Sequence, residues 1–188
     1  RVKAADTARL TKPQRLSILE LLVRLHQANN DQPAADQALN TLQSVNPDNP
    51  LVKEATVRLM LKGLETALKD KQYDKVITQI NADAERFTTA ALQADAVFYL
   101  AEARAGKAAA SNKPDEWKDA ALDYMRLVAA FPNDARVPQA LLKTAEILEK
   151  HVQDKPGALR LYEQIGTEYA NDPAGRAARQ AVERLKKG

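Results

Sequence analysis

WKDAALDYMRLVAAFPND, residues 117–134, and KPGALRLYEQIGTEYAND, residues 155–172, superimpose under a shift of 38 positions. Ala120 falls on Ala158, Tyr124 on Tyr162, Leu127 on Ile165, Phe131 on Tyr169, and Asn133-Asp134 on Asn171-Asp172. Self-similarity at a period of roughly 34 to 45 residues marks a helical array, in which each unit is too small to bury its own apolar face and buries it against its neighbours. The expected class is therefore all-α. An array of this kind displays a surface, and so points to binding rather than catalysis.

Composition agrees with that class. The 188 residues are 45 % hydrophobic and only 5 % aromatic, with six glycines; Ala, Leu, Lys, Glu, Gln and Arg dominate, and these are the strong helix formers. A net charge of +3 is small beside 28 basic and 25 acidic residues, so the chain is not polycationic and nothing in it demands nucleic acid. Cysteine is absent, which removes disulfides, Cys-ligated zinc and thiol catalysis together. No apolar run approaches the ~20 residues that span a bilayer. The first residue is Arg1, and we expect a processed or truncated piece of a longer protein, possible tethering lying in a missing N-terminal region. No Asn-x-Ser/Thr acceptor occurs, which argues against a eukaryotic secreted protein.

Outward from the repeat, helices are expected over residues 11–28, 33–45, 51–69, 73–87, 90–110, 116–131, 137–151, 157–169 and 174–186, from apolar positions at spacings of three and four and from Pro, Asn and Asp at the ends. They group into units at about 11–47, 50–88, 90–132 and 135–170, within a single domain over 1–188. The last helix, 174–187, is expected to cap the array, with Ala178, Ala181, Val182 and Leu185 inward and Arg176, Arg179, Glu183, Lys186 and Lys187 elsewhere. The spacing from Phe87 to Phe131 is 44 rather than 38, which we read as one insertion, a loop around Ala105 to Pro114.

At Tyr73-Asp74-Lys75-Val76-Ile77, at Trp117-Lys118-Asp119-Ala120-Ala121, and from Leu42 through Asn46-Pro47-Asp48-Asn49-Pro50, the chain resembles tetratricopeptide repeats. In that family the second helix of each unit opens on an aromatic residue, has a small residue three places on, a large apolar residue four places later, and closes at a Pro-Asn type turn. The resemblance implies Ala35, Val76, Ala120 and Ala158 as the small residues, Leu39, Ile80, Tyr124 and Tyr162 as the large ones, and Pro47 and Pro132 in the turns. It covers the chain from about Pro33 to the end and implies a right-handed α-α superhelix of four helix pairs plus a capping helix. The cadence from Phe131 through Ala140 is similar to tetratricopeptide proteins of bacterial envelopes, among them outer-membrane assembly lipoproteins and coordinator proteins associated with the Tol system. A periplasmic or envelope location is the expectation that follows, with the cytoplasm as the other compartment open to it.

In such arrays the first helix of each pair lines the concave side. Aligning the three inner first helices gives an apolar stripe that includes Val52, Gln93 and Val137, then Leu59, Leu100 and Thr144, and this is the expected core. Between its members lie Glu54, Asp95 and Gln139, then Arg58, Tyr99 and Lys143, then Lys62, Glu102 and Glu146. These nine residues read either as a solvated face or as three tracks that hold a peptide or partner helix. Any surface helix shows a solvated face of this kind; Tyr99 adds some weight to the second reading, because Tyr and Arg are enriched at binding hot spots. Asn is absent from all nine positions, which argues against a clamp for a C-terminal carboxylate.

Catalytic signatures are missing. His26 and His151 are the only histidines, each near a helix C-terminus, where an imidazolium is favourable. There is no His-Glu-x-x-His, no phosphate-cradling glycine loop and no Gly-x-Gly-x-x-Gly. Trp117 reads as a packing aromatic equivalent to Tyr73. The basic run Arg176, Arg179, Arg184, Lys186 and Lys187 is interrupted by Glu183 and reads as a solvated cap, or as a contact for nucleic acid or another anionic polymer. The expectation is a non-enzymatic protein-interaction scaffold without cofactor or metal, its partner a protein or peptide. The runner-up is anionic-polymer binding through the basic end.

Overall fold

The structure, a computed structural model, describes residues 10–187; residues 1–9 and 188, which the expected domain 1–188 includes, lie outside the described residues. Among the described residues nine α-helices run in order: α1 Lys12–Ala28, α2 Gln32–Val45, α3 Pro50–Lys69, α4 Tyr73–Ala82, α5 Ala90–Ser111, α6 Pro114–Ala130, α7 Val137–Ile147, α8 Lys155–Glu168 and α9 Pro173–Lys187. The described residues contain no strand, and the class is all-α. Local chemistry explains the starts. Thr11 forms a capping box with Gln14 before α1, Thr89 accepts from the Leu92 amide before α5, and Asp31 and Asp154 cap α2 and α8, each satisfying an orphan amide of the first turn. Pro13, Pro33, Pro114, Pro138 and Pro156 stand at the first or second helical position, where their missing N–H costs nothing.

Among the described residues, four non-glycine residues have positive φ: Asn30, Lys71, Asn112 and Gln153. They stand in the turns α1–α2, α3–α4, α5–α6 and α7–α8, at a constant interval of 41 residues. The second helices begin on the same rhythm, at Gln32, Tyr73, Pro114 and Lys155. The expected insertion at Ala105 to Pro114 is therefore corrected: α5 is helical through Ser111. The unequal spacings of 38 and 44 come from helix lengths. α6 has 17 residues and α8 has 14, so matching their ends gives 38 where matching their starts gives 41. α6 carries one extra turn at its beginning.

Two further boundaries differ from expectation. The fourth helix stops at Ala82 and is followed by a 3₁₀ turn, Ala84–Arg86, rather than continuing to Phe87. The seventh is α-helical only to Ile147, and then widens into a π turn, Leu148–Val152.

The chain forms two compact units, Arg1–Leu59 and Met60–Gly188, each with its own packing. In the first, α1 packs on α2 around Val23, Ala38, Leu42 and Val52. Asn49, nearly fully buried, donates to Glu20 of α1 at 2.6 Å and accepts from the Leu51 amide at 2.9 Å, tying the start of α3 to α1. The expected core position Leu59 is overturned: it is 71 % exposed. Val57, Leu61 and Leu64 are the buried residues of that stretch; at ~100° per residue, Leu59 stands two residues off this stripe and faces away from it. Gln93 is likewise no core residue; it is exposed, and its amide donates to the Phe87 carbonyl at 2.9 Å.

In the second unit consecutive helices pack from α4 to α9. One cluster joins α5, α6 and α7 through Ala94, Ala101, Ala120, Tyr124, Leu127 and Ala140. The next joins α7, α8 and α9 through Val137, Leu141, Ala158, Tyr162, Ile165 and Ala178. The sequence-matched positions Ala120/Ala158, Tyr124/Tyr162 and Leu127/Ile165 are all at most 1 % exposed. Gly175 permits the close approach of α9 to α8: a Cβ there would collide with the Tyr169 carbonyl oxygen. Between α5 and α6 the fully buried Asp123 has Arg104 and Arg126 guanidinium nitrogens at 2.8 Å. Burial pushes its carboxyl above the usual range, against the pull of the two arginines.

Candidate functional site

The three polar positions on α5, Asp95, Tyr99 and Glu102, are spaced four and three apart and share one half-buried face. A hollow of about 390 Å³ opens over Tyr99 and Glu102, bounded by Glu65, Lys69, Phe98 and Arg136. Arg136 closes one side. It lies 2.8 Å from Asp95, makes a forked pair with Asp134 at 2.8 and 2.7 Å, and sits 5.0 Å over the Phe98 ring. A guanidinium so engaged is a fixed wall rather than a mobile charge. Burial, then the neighbouring Glu65 and Asp95, hold the Tyr99 phenol above its usual range, so it is a hydrogen-bond donor at physiological pH.

Glu102 and Leu68 also border a second cleft, of about 350 Å³, which adds Tyr73, Trp117, Tyr124, Lys143, Glu146, Lys150 and His151. Two local irregularities meet here. Trp117 lies in the first turn of α6, directly after the three extra residues 114–116, and His151 lies in the π turn after α7; their rings stack with centroids 3.7 Å apart and planes 10° from parallel. The π turn has no counterpart after α5, and single π turns recur at functional sites. Tyr73 forms another wall, its ring lying against Gly106 of α5, where a Cβ would collide with it. The indole Nε1 of Trp117 is buried without a hydrogen-bond partner.

The carboxylates of the cleft face donors of the chain itself. Tyr124 donates to Glu102 at 2.5 Å, and the Lys150 ammonium stands 4.0 Å from Glu146. Burial, with Glu102 beside it, drives the Tyr124 phenol far above its usual range. The matched Tyr162 donates instead to Glu149 at 2.9 Å, and Glu149 also accepts two bonds from Arg184 of α9, at 2.5 and 2.8 Å. Arg184, then Tyr162, hold the Glu149 carboxyl below the usual range despite burial.

Of the nine sequence-derived positions, Tyr99 and Glu102 border the first hollow, with Asp95 behind Arg136, and Glu102, Lys143 and Glu146 border the second. Gln139 and Lys62 are exposed and border neither. Glu54 and Arg58 belong to the first unit, where they pair with each other at 2.7 Å. Sequence reasoning did not assign Tyr73, Arg136 or Lys150 to a site. It read Trp117 as a packing aromatic, and Trp117 does pack against the α5–α7 cluster; it read His151 as a helix-end cation and did not foresee that the two rings stack. The basic end is largely engaged within the chain. Arg179 donates to the Gly166 and Ala170 carbonyls at 3.0 Å and Arg176 to the Asn171 carbonyl, so these two cations satisfy carbonyls at and just after the end of α8, while Lys186 pairs with the Glu163 carboxylate at 2.8 Å.

Among the described residues no group of three or more His, Asp or Glu is placed to hold a metal ion, and no helix is long and apolar enough to cross a membrane. No protein-family model matches the chain, and none of the curated proteins compared with it matches.

Proposed function

We propose that this protein is a non-enzymatic interaction scaffold of the tetratricopeptide type, which holds a segment of a partner protein against the α5–α7 face. The observation that carries this reading is the pair of adjoining hollows lined by Tyr99, Glu102, Lys143 and Glu146, with Glu102 common to both. Rigid helices hold these groups in place, and a partner segment needs such a prepared, half-buried polar surface. The regular turns support the array, and α7 also touches α9, two helices on, as first helices of successive units do in a superhelix. The 41-residue interval is longer than the 34 of a simple tetratricopeptide unit and within the range of helix-pair arrays generally. A place in the assembly of a bacterial envelope complex rests on the resemblance of the Phe131–Ala140 cadence.

The test is affinity capture from lysate with the wild type and a Tyr99→Ala/Lys143→Ala variant of unchanged helicity, washed at low and moderate salt. A protein held through the salt step by the wild type and lost by the variant is the expected result. Retention of only nucleic acid or another anionic polymer, released by salt and indifferent to the variant, would overturn it.

A further inference from the structure

Second helices lie against the first helices that follow them, α4 on α5 and α6 on α7. On α5 the covered face is identified by its contacts. A Cβ on Gly106 would collide with the Tyr73 ring of α4, Lys107 reaches Asp74 of α4 at 2.5 Å, and Ala103, one turn back, is fully buried. A step of 41 residues carries these positions forward to Thr144, Ile147 and Leu148 of α7, where Thr144 and Ile147 are buried. Two such steps carry them back to Leu21, Arg24 and Leu25 of α1. There the face is open: Leu21 is 68 % exposed and Leu25 52 %, although a helix seated as α4 is would bury the apolar area of both. The other end of the chain differs. Helix α9 leaves Arg176, Arg179, Glu183, Lys186 and Lys187 exposed, as the outer face of an end helix does.

Charge decides what the open face takes. Helix α1 carries Lys12, Arg15 and Arg24 against one carboxylate, Glu20, which is engaged by Asn49; Asp31, beyond the helix, stands by His26. Arg24 is exposed between Leu21 and Leu25, and among the described residues it faces no acid. Where α5 admits the Tyr73 ring over Gly106, α1 presents this guanidinium, so an incoming helix meets it with a carboxylate, as Asp74 meets Lys107. We infer that the Leu21–Leu25 face of α1 is a docking seat for an acidic amphipathic helix of a partner protein, laid down as α4 lies on α5, with apolar side chains over Leu21 and Leu25 and a carboxylate at Arg24. A second copy of α1 is the competing occupant, but it brings its own arginines to the same face. The seat uses no residue of the α5–α7 surface and stands or falls apart from it.

The probe is a hydrocarbon-stapled helix of four turns with leucines three and four apart and glutamates elsewhere, dye-labelled for anisotropy, beside its lysine counterpart; the staple removes the ordering cost that a short helix carries in water. The full chain is compared with Leu21→Gln/Leu25→Gln and with Arg24→Gln, exposed positions at which helicity by circular dichroism is expected to be unchanged. The Glu helix is expected to bind the wild type, the leucine variant about tenfold more weakly and Arg24→Gln about threefold more weakly, while the Lys helix leaves the anisotropy unmoved. Equal binding of the Glu helix to the wild type and the leucine variant would overturn the seat. Equal binding of the two helices would overturn its acidic occupant. A wild-type dimer in sedimentation, or flotation of the wild type with phosphatidylserine vesicles, either one abolished in the leucine variant and found without helix binding, would assign the face to a second copy or to a membrane and overturn the partner helix. Silence to every probe from folded protein would overturn it as well.

Discussion

Tyr124 of α6 and Tyr162 of α8 hold matched positions in the repeat, are both buried to 1 % exposure or less, and each reach a carboxylate on the preceding helix. The carboxylates are not matched. By the 41-residue interval Glu102 falls on Lys143 of α7, and Tyr162 finds its carboxylate in Glu149, in the π turn. Widening the helix there brings Glu149 under Tyr162 and Arg184, a network complete within the chain, while Glu146 remains on the cleft with Lys143 and Lys150. The same tie is thus structural in the outer pair and borders an open cleft in the inner one. A helix irregularity separates holding the fold from presenting a surface.

The largest expected effect breaks the closed network. Glu149→Gln should cost about 2 to 3 kcal/mol in denaturant unfolding at neutral pH, because it removes the charge that Arg184 and Tyr162 share. The native carboxyl titrates below its unfolded value, so its stabilisation is full above about pH 5 and is lost as pH falls through the native value. The gap between wild type and variant should therefore close on acidification; a gap constant with pH would show that packing, not charge, is at stake. Next, Gly106→Ala should cost about 2 kcal/mol by overpacking against Tyr73, and a blue or red shift of Trp117 emission should report the displaced wall of the cleft. An unchanged spectrum would separate Tyr73 from the site.

Smaller effects sharpen the comparison. Tyr124→Phe should cost about 1 kcal/mol, the net worth of one hydrogen bond, and Tyr162→Phe about as much, since Glu149 keeps Arg184; a much larger loss for either would mean that the two ties are not the same device. At the other end, Leu59→Ser should move stability by no more than about 0.5 kcal/mol, whereas Leu61→Ala, two residues on and 3 % exposed, is expected to cost about 2 to 4. Equal losses at the two positions would reverse the assignment of the core face of α3.

How far the sequence could be read depended on the kind of signal. Ala120, Tyr124 and Leu127 against Ala158, Tyr162 and Ile165 were legible because repeated burial leaves repeated residues. Thr11, with Pro13 behind it, marked the start of the first helix because such residues act on their own backbone. Leu59 misled because a leucine two places off the apolar stripe looks, in a column of aligned helices, like a member of it. The 41-residue interval stayed hidden because Asn30, Lys71, Asn112 and Gln153 share a backbone conformation and not a residue type. Asp95, Tyr99 and Glu102 were found by helical spacing alone, while Arg136 and Tyr73 come to the site from other elements, which no local pattern encodes.

The sequence by itself determined the helical class, most helix bounds and the repeated buried positions of α6 and α8, since propensity, capping and apolar spacing act over a turn or two of chain. The tertiary structure decided the rest. It set Trp117 of α6 on His151 of the π turn, gave Tyr162 a different carboxylate from its repeat partner, and brought Trp117, Lys143 and Glu146 to one cleft. Those outcomes depend on where one helix ends against another, and that is fixed by packing between distant residues rather than by any residue's own preference.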